Sequence, residues 1–110
     1  MSKQYSVSYT PEAYHDLGDI YSYIAFVLKE KGTASNLVKR IRKEIASLDA
    51  FPERYGGVEW EPWTSMGICK MPVERYVVYY CADMEQKAVT IIRIFYGGRD
   101  VEGIITAKSD

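Results

Sequence analysis

Residues 75–100 read RYVVYYCADMEQKAVTIIRIFYGGRD. Two runs here, Arg75 to Ala82 and Ala88 to Tyr96, are built almost wholly from β-branched, aromatic and aliphatic residues. Side chains of that kind fit a pleated, half-buried surface, so both runs predict strands. Asp83-Met84-Glu85-Gln86 lies between them, a polar link too short for a crossover, and the two strands should therefore pair antiparallel. Gly97-Gly98 ends the second run. A third run, Met66 to Met71, precedes the first, with Pro72 marking the turn. Together they predict a three-stranded antiparallel meander.

Upstream of the meander the period changes. Tyr14, Leu17, Ile20, Tyr21, Ile24, Ala25 and Leu28 form one apolar stripe at helical spacing. Thr10-Pro11-Glu12 reads as its start: Thr10 can cap, Pro11 loses nothing at the first helical position, and Glu12 suits the positive end. Gly32 reads as its stop. A second stripe, Leu37, Val38, Ile41, Ile45 and Leu48, runs from Thr33 toward Phe51-Pro52, with Lys39, Arg40, Arg42, Lys43 and Glu44 on the opposite face. The pair predicts an antiparallel helical hairpin. Tyr5-Ser6-Val7-Ser8-Tyr9 alternates as a half-buried strand. Glu53 to Ser65, with Gly56-Gly57, Pro62 and both tryptophans, reads as loop, and Val101 to Ala107 as either a short helix or a tail. The expected fold is α+β: an N-terminal strand, the hairpin, then the meander, with the helices on one face of a small twisted sheet and the other face left for function.

The 110 residues suit one domain, expected to span 1–110, that folds without metal or disulfide staples. Fourteen Lys+Arg against 15 Asp+Glu exclude a domain that grips nucleic acid through its bulk field. Any such contact must come from a local basic cluster. The N-terminus shows no signal-peptide core, and no apolar run approaches the ~20 residues needed to span a bilayer. The protein is therefore expected in the cytoplasm, off the membrane, with Cys69 and Cys81 as reduced thiols. No phosphate loop, metal-ligand spacing or nucleophile elbow is present, so no cofactor and no metal are expected. His15, the single histidine, reads as a solvated helix residue, which leaves a serine triad without its base.

The distinctive feature is positive charge carried on strands. Lys70, Arg75, Arg93 and Arg99 lie in or beside the C-terminal strands. Arg93 is enclosed by Ile91, Ile92, Ile94 and Phe95, where an unpaired charge would be costly. It is either ion-paired with a sheet carboxylate such as Glu74 or part of an anion site on the open face. Gly97-Gly98 lets the strand end bend so that Tyr96 and Arg99 project. In a regular strand Arg93 and Tyr96 point to opposite faces, and only a twist or bulge near Phe95 would bring them together. Open-face tyrosines among Tyr76, Tyr79 and Tyr80 would either stack on bases or be covered by a protein partner.

In order and spacing these segments resemble the RelE/ParE superfamily of toxins from type II toxin–antitoxin systems, also called plasmid stabilisation proteins. Tyr5 to Ala13 resembles the family's first strand entering its first helix. Asp16-Leu17-Gly18-Asp19-Ile20-Tyr21-Ser22-Tyr23-Ile24 is similar to its Asp-Leu-x-x-Ile-x-x-Tyr-Ile signature. Arg75 to Tyr80 resembles the central strand, and Ile92 to Asp100 the last strand with its Gly-x-Arg-Asp ending. The resemblance implies a small antitoxin of the ParD or RelB kind that wraps and silences the toxin. It also implies one of two targets: DNA gyrase, with which ParE-like members are associated, or messenger RNA on the ribosome, which RelE-like members cut.

Within the superfamily the pattern resembles ParE more than RelE. RelE-type nucleases usually carry an arginine where this chain has Val77, and a C-terminal tyrosine where it has Ile104-Ile105. If the chain were nonetheless an endoribonuclease, Lys70, Tyr96 and Arg99 would have to supply base, acid and phosphate stabiliser. As a binding toxin it would use Arg75, Arg93, Tyr96 and Arg99 toward target or antitoxin. A third possibility is a degenerate, non-toxic member that keeps only antitoxin binding.

Overall fold

The computed structural model describes residues 4–107, and the remainder of the expected domain, 1–3 and 108–110, lies outside the described residues. Strand β1 (Ser6–Tyr9) leads into helix α1 (Pro11–Ser22). The Thr10 hydroxyl accepts the Ala13 N–H at 3.0 Å, with Pro11 in the first turn, as the capping signal required. α1 then widens into a π-helical stretch, Tyr23–Val27, closed by a hydrogen bond from Leu28 N–H to Tyr23 C=O. The break differs from the expected Gly32 stop. Lys29 takes the left-handed conformation, φ 59°, and helix α2 (Lys31–Ala46) already contains Gly32 in its first turn. Because the helix loosens before it ends, Leu28 leaves the apolar stripe, and Phe26, Val27 and Leu28 are exposed at the hairpin tip. The far end of α2 is held by Arg54, whose guanidinium donates to the Ala50 carbonyl at 2.7 Å and to the Ser47 hydroxyl at 2.8 Å.

Strands β2 (Cys69–Val73), β3 (Tyr76–Asp83) and β4 (Ala88–Tyr96) form the meander, and helix α3 (Val101–Ala107) closes the chain. The sheet order is β1-β4-β3-β2, so β1 docks beside the last strand, parallel to it, from Ser6 opposite Ala88 to Tyr9 opposite Ile91. Met66 belongs to the preceding turn, not to β2. Pro72 lies inside β2, and the turn is made by Glu74, φ 57°, and Arg75. β2 tolerates proline because it is an edge strand. Among the described residues, its outer side is paired with the 56–58 segment, through Lys70 N–H to Gly56 C=O and, just before the strand, Val58 N–H to Ile68 C=O. Two residues after Lys70, Pro72 offers that outer side no donor, and a further strand cannot add there.

The first core lies where expected, between the hairpin and the sheet. Leu17, Ile20, Ile24, Ile41, Ile45 and Leu48 meet Met71, Val78, Tyr80, Val89, Ile91 and Ile94. Burial of the Tyr80 ring pushes its phenol well above the usual tyrosine range, and the hydroxyl donates to the Pro52 carbonyl. The other face of the sheet is not left open. Val58 and Trp63 from the loop, Tyr79 and Phe95 from the sheet, and Val101 from α3 form a second core there, with Trp60 stacked on Trp63. The loop's apolar residues were legible, but their destination was not, because a chain this short covers its second face with irregular segments. The Val101–Ala107 segment is helical. Asp100 caps it by accepting the Gly103 N–H at 3.1 Å, and a Cβ on Gly103 would collide with that carboxylate.

Cys69 and Cys81 are free thiols that pack toward different cores, Cys69 on the helix side and Cys81 on the loop side. Burial pushes both thiols up from their ordinary range, which makes them poor nucleophiles. Alkylation under non-reducing, denaturing conditions should modify both, and intact mass reads the result. No modification would mean a disulfide, which the opposed faces exclude.

Candidate functional site

β4 does not run as a regular strand. Tyr79 pairs with Arg93, but Tyr80 pairs with Ile91, so Ile92 is an extra residue with no partner on β3. The Thr10 hydroxyl donates to the Ile92 carbonyl at 2.9 Å and fixes the bulge where β1 turns into α1. Beyond the bulge the pattern of faces is reset. Ile94 joins Ile91 in the first core, and Phe95 joins the second. The bulge lies upstream of Arg93, not between Arg93 and Tyr96, so these two remain on alternate sides of the strand as regular spacing predicts.

Arg93 has a specific partner. Its Nε and one terminal nitrogen donate to both oxygens of Asp16 at 2.8 and 2.9 Å, a bidentate pair. The ion pair foreseen for Arg93 is therefore real, but the carboxylate comes from α1 and not from Glu74. Glu74 instead pairs with Arg40 of α2 at 2.6 Å. Asp16 is 7% exposed and also accepts the Ile94 N–H at 2.9 Å. β1 ends at Tyr9, opposite Ile91, so at Ile94 this carboxylate takes the place of a missing strand. The Asp16 hydrogen bonds hold the Arg93 guanidinium more firmly protonated than usual, against the opposing effect of burial. Asp16 escaped the sequence reading as a site residue. The signal was available: it is the one carboxylate on the buried side of α1, three residues from Ala13 and four from Ile20.

Where β1 is missing, an open groove of about 1010 Å³ runs between the helical hairpin and the distal half of β4. Its apolar wall includes Ile20, Ile24 and Leu37, and its mouth holds Tyr23, Tyr76 and Tyr96. Tyr76 packs edge-on against Tyr96 with ring centres 5.6 Å apart. Burial, and then the neighbouring Tyr96 and Tyr23, push the Tyr76 phenol above its ordinary range. Four arginines, Arg40, Arg75, Arg93 and Arg99, line the groove against three carboxylates, Asp16, Asp19 and Glu74. Arg40 and Arg93 are paired, and Asp19 faces His15 at 3.2 Å. Among the described residues, Arg75 and Arg99 have no carboxylate partner. The Arg99 guanidinium lies 5.4 Å from the centre of the Phe95 ring, and that of Arg93 lies 4.4 Å from the same ring.

Arg93 and Tyr96 leave β4 on alternate faces, but the groove runs along the strand's free edge and is lined by both of them together with Arg75 and Arg99, without the twist or bulge near Phe95 expected from the spacing. Lys70 is elsewhere. It sits on edge strand β2, opposite Tyr79, which in turn pairs with Arg93. That is two strand spacings from β4, about 10 Å, and outside the groove lining. Gly97 is explained by its setting: its N–H donates to the Arg75 carbonyl at 2.8 Å, and a Cβ there would stand 3.1 Å from that oxygen. The described residues contain no cluster of three His, Cys, Asp or Glu able to hold a metal, and no helix long and apolar enough to cross a membrane.

The family model described as the ParE toxin of type II toxin–antitoxin system, parDE, matches residues 7–101. The chain belongs to the ParE toxin family. Among curated proteins, none matches the sequence. Solved structures share the fold. The chromosomal ParDE system of P. aeruginosa is 23% identical, with 86% of this chain and 98% of that chain covered and a TM-score of 0.69. The RelBE2 toxin–antitoxin complex of Mycobacterium tuberculosis is 20% identical, covering 84% and 91%, TM-score 0.59. The archaeal RelE–RelB complex of Pyrococcus horikoshii OT3 is 16% identical, covering 87% and 98%, TM-score 0.58. In this ParE-family chain the signature Asp of the first helix is Asp16, the clasp of β4. The Gly-x-Arg-Asp ending divides its work: Gly97 for close approach, Arg99 for the groove and Asp100 for the α3 cap.

Proposed function

We propose that this ParE-family toxin acts in the cytoplasm by binding a cellular target such as DNA gyrase, and that a small cognate antitoxin neutralises it. The observation that carries this reading is the composition of the groove: two unpartnered arginines, Arg75 and Arg99, beside exposed aromatic rings and an apolar wall. Such a surface suits recognition by charge and apolar area. Cleavage of RNA is less well served. The lysine that would complete a base, acid and stabiliser set lies two strands away, and the groove lining contains no histidine.

Induced expression of the chain alone should arrest growth, and co-expression of its antitoxin should restore it, read as colony-forming units. Unimpaired growth at the same soluble level of protein would overturn the toxin reading and leave a member that only binds an antitoxin.

A further inference from the structure

The whole chain carries a formal charge of −1, yet its charges are sorted by face. In α2, Lys31, Lys39, Arg42 and Lys43 are exposed, and among the described residues none of them has a carboxylate partner. Lys31, Ser35, Lys39 and Arg42 recur at intervals of four, four and three, the spacing of one helix face, and Lys43 stands one turn beyond Lys39. From Lys31 to Lys43 the stripe runs about 18 Å. None of its residues lines the groove, which takes Thr33, Asn36, Leu37 and Arg40 from the other side of α2.

The carboxylates of the hairpin lie elsewhere. Asp16 through its hydrogen bonds, and Glu12 and Asp19 through their charge, favour the charged form of Arg93 and so face β4. Glu30 accepts from the Thr33 hydroxyl at 2.9 Å, on the groove side. Glu44 follows Lys43 in sequence but is turned about 100° further round the helix, and it is half-buried. The stripe is therefore a local basic cluster with no anion to balance it.

Aromatic rings hold two of the cations in position. The Arg42 guanidinium lies 5.5 Å from the centre of the Tyr9 ring, which is itself stacked on Tyr14 at 4.6 Å. The Lys31 ammonium lies 5.6 Å from the centre of the Phe26 ring, which packs edge-on against Tyr21 at 6.3 Å. These rings stand to one side of the stripe, on β1, α1 and the π-helical stretch, and α2 itself carries no ring. Cations without interleaved rings meet phosphates and leave bases unread. A duplex presents its phosphates in that way, with the bases stacked inside.

We propose that the outer face of α2 docks on the phosphate backbone of duplex DNA, without regard to base sequence. The inference goes beyond target binding, and its choice of DNA over RNA rests on the target reading above, since a target such as gyrase acts on DNA. The groove lies on the other side of α2, so this face and the groove can be engaged at once. A toxin that touches its target and the DNA held by that target gains effective concentration without a tight grip on either. The DNA contact alone is weak, because only three or four phosphates are neutralised, roughly one per cation.

The test is fluorescence anisotropy of a labelled DNA duplex of about 20 base pairs, titrated with the free full chain between about 50 and 200 mM salt. Three or four phosphate contacts predict a log–log salt slope of about −2.7 to −3.6, and so a loss of affinity of at least ~40-fold across that range. Unrelated duplex sequences should bind alike. Lys39→Gln and Lys43→Gln replace exposed, unpaired side chains and should each make the slope shallower by about 0.9 with unchanged thermal melting. Lys70→Gln, on edge strand β2, should change neither slope nor melting. No binding at roughly 100 μM protein in the lowest salt overturns the proposal. So does a slope that Lys39→Gln and Lys43→Gln leave unchanged. Tighter binding of a single strand of the same sequence overturns the duplex as occupant, and tighter binding of an RNA duplex overturns the choice of DNA. Growth judges the toxin reading separately. A chain that arrests growth without binding DNA loses this inference alone, and a chain that binds DNA without arresting growth keeps it and loses the toxin reading.

Discussion

Asp16→Ala should lower the stability of the fold by about 3–5 kcal/mol, the range for breaking a buried ion pair by removing one partner. The carboxylate accepts three hydrogen bonds, two from the Arg93 guanidinium and one from the Ile94 N–H. Removing it leaves a charged side chain, only 20% exposed, without its counter-ion. It also strands a backbone donor beside Ile94, which is itself 2% exposed. Helix α1 and strand β4 lose this polar link beyond the end of β1 and keep the apolar packing of Leu17 and Ile20 in the core they share with Ile94. Asp16→Asn keeps an acceptor for Ile94 but not the charge, and should fall between the variant and the native chain. Urea unfolding of both, with the Asp16→Ala/Arg93→Ala double variant to complete the cycle, measures the coupling. A loss under ~1 kcal/mol for Asp16→Ala would mean that the clasp is dispensable.

Arg99→Ala should do the reverse: it should leave the fold in place and abolish most of the toxicity. Its side chain is exposed and lies over the Phe95 ring, and among the described residues it has no carboxylate partner. Losing that contact costs about 0.5–1 kcal/mol at an exposed site, so thermal melting should move little. Growth inhibition should fall at least ~10-fold, about the effect of losing one charge-assisted contact. Arg93→Ala gives the contrast. Its toxicity should fall only in step with its stability, because Asp16 already engages the guanidinium. Full toxicity in a well-folded Arg99→Ala protein would remove Arg99 from the functional surface.

Local patterns carried most of the fold. The centres of the stripes, Leu17 to Ile24 and Ile41 to Leu48, the Thr10-Pro11 cap and the hairpin around Asp83–Gln86 each depend on neighbours in the chain and lie where the pattern places them, while Tyr14 and Leu28, at the two ends of the first stripe, are exposed. What escaped depends on distant partners. Gly32 is a sound helix stop by composition, but the π-helical widening before it moved the break to Lys29. The loop around Trp60 and Trp63 showed apolar residues without a periodicity, so nothing in it announced that it covers the second sheet face. In the candidate site, the cost of charge inside an apolar strand correctly marked Arg93 as needing a partner. The partner lies 77 positions away on α1, beyond the reach of any spacing argument. The groove itself exists because β1 stops at Tyr9 while β4 runs on to Tyr96, a mismatch visible only once the two strands are paired.

The central claim is that this ParE-family chain disables its target by binding and not by cutting RNA. The most direct measurement induces the chain without its antitoxin and follows transcript integrity and chromosome supercoiling in the same culture as growth stops. The account predicts intact transcripts together with lost negative supercoiling. Transcripts cut before supercoiling changes would contradict it.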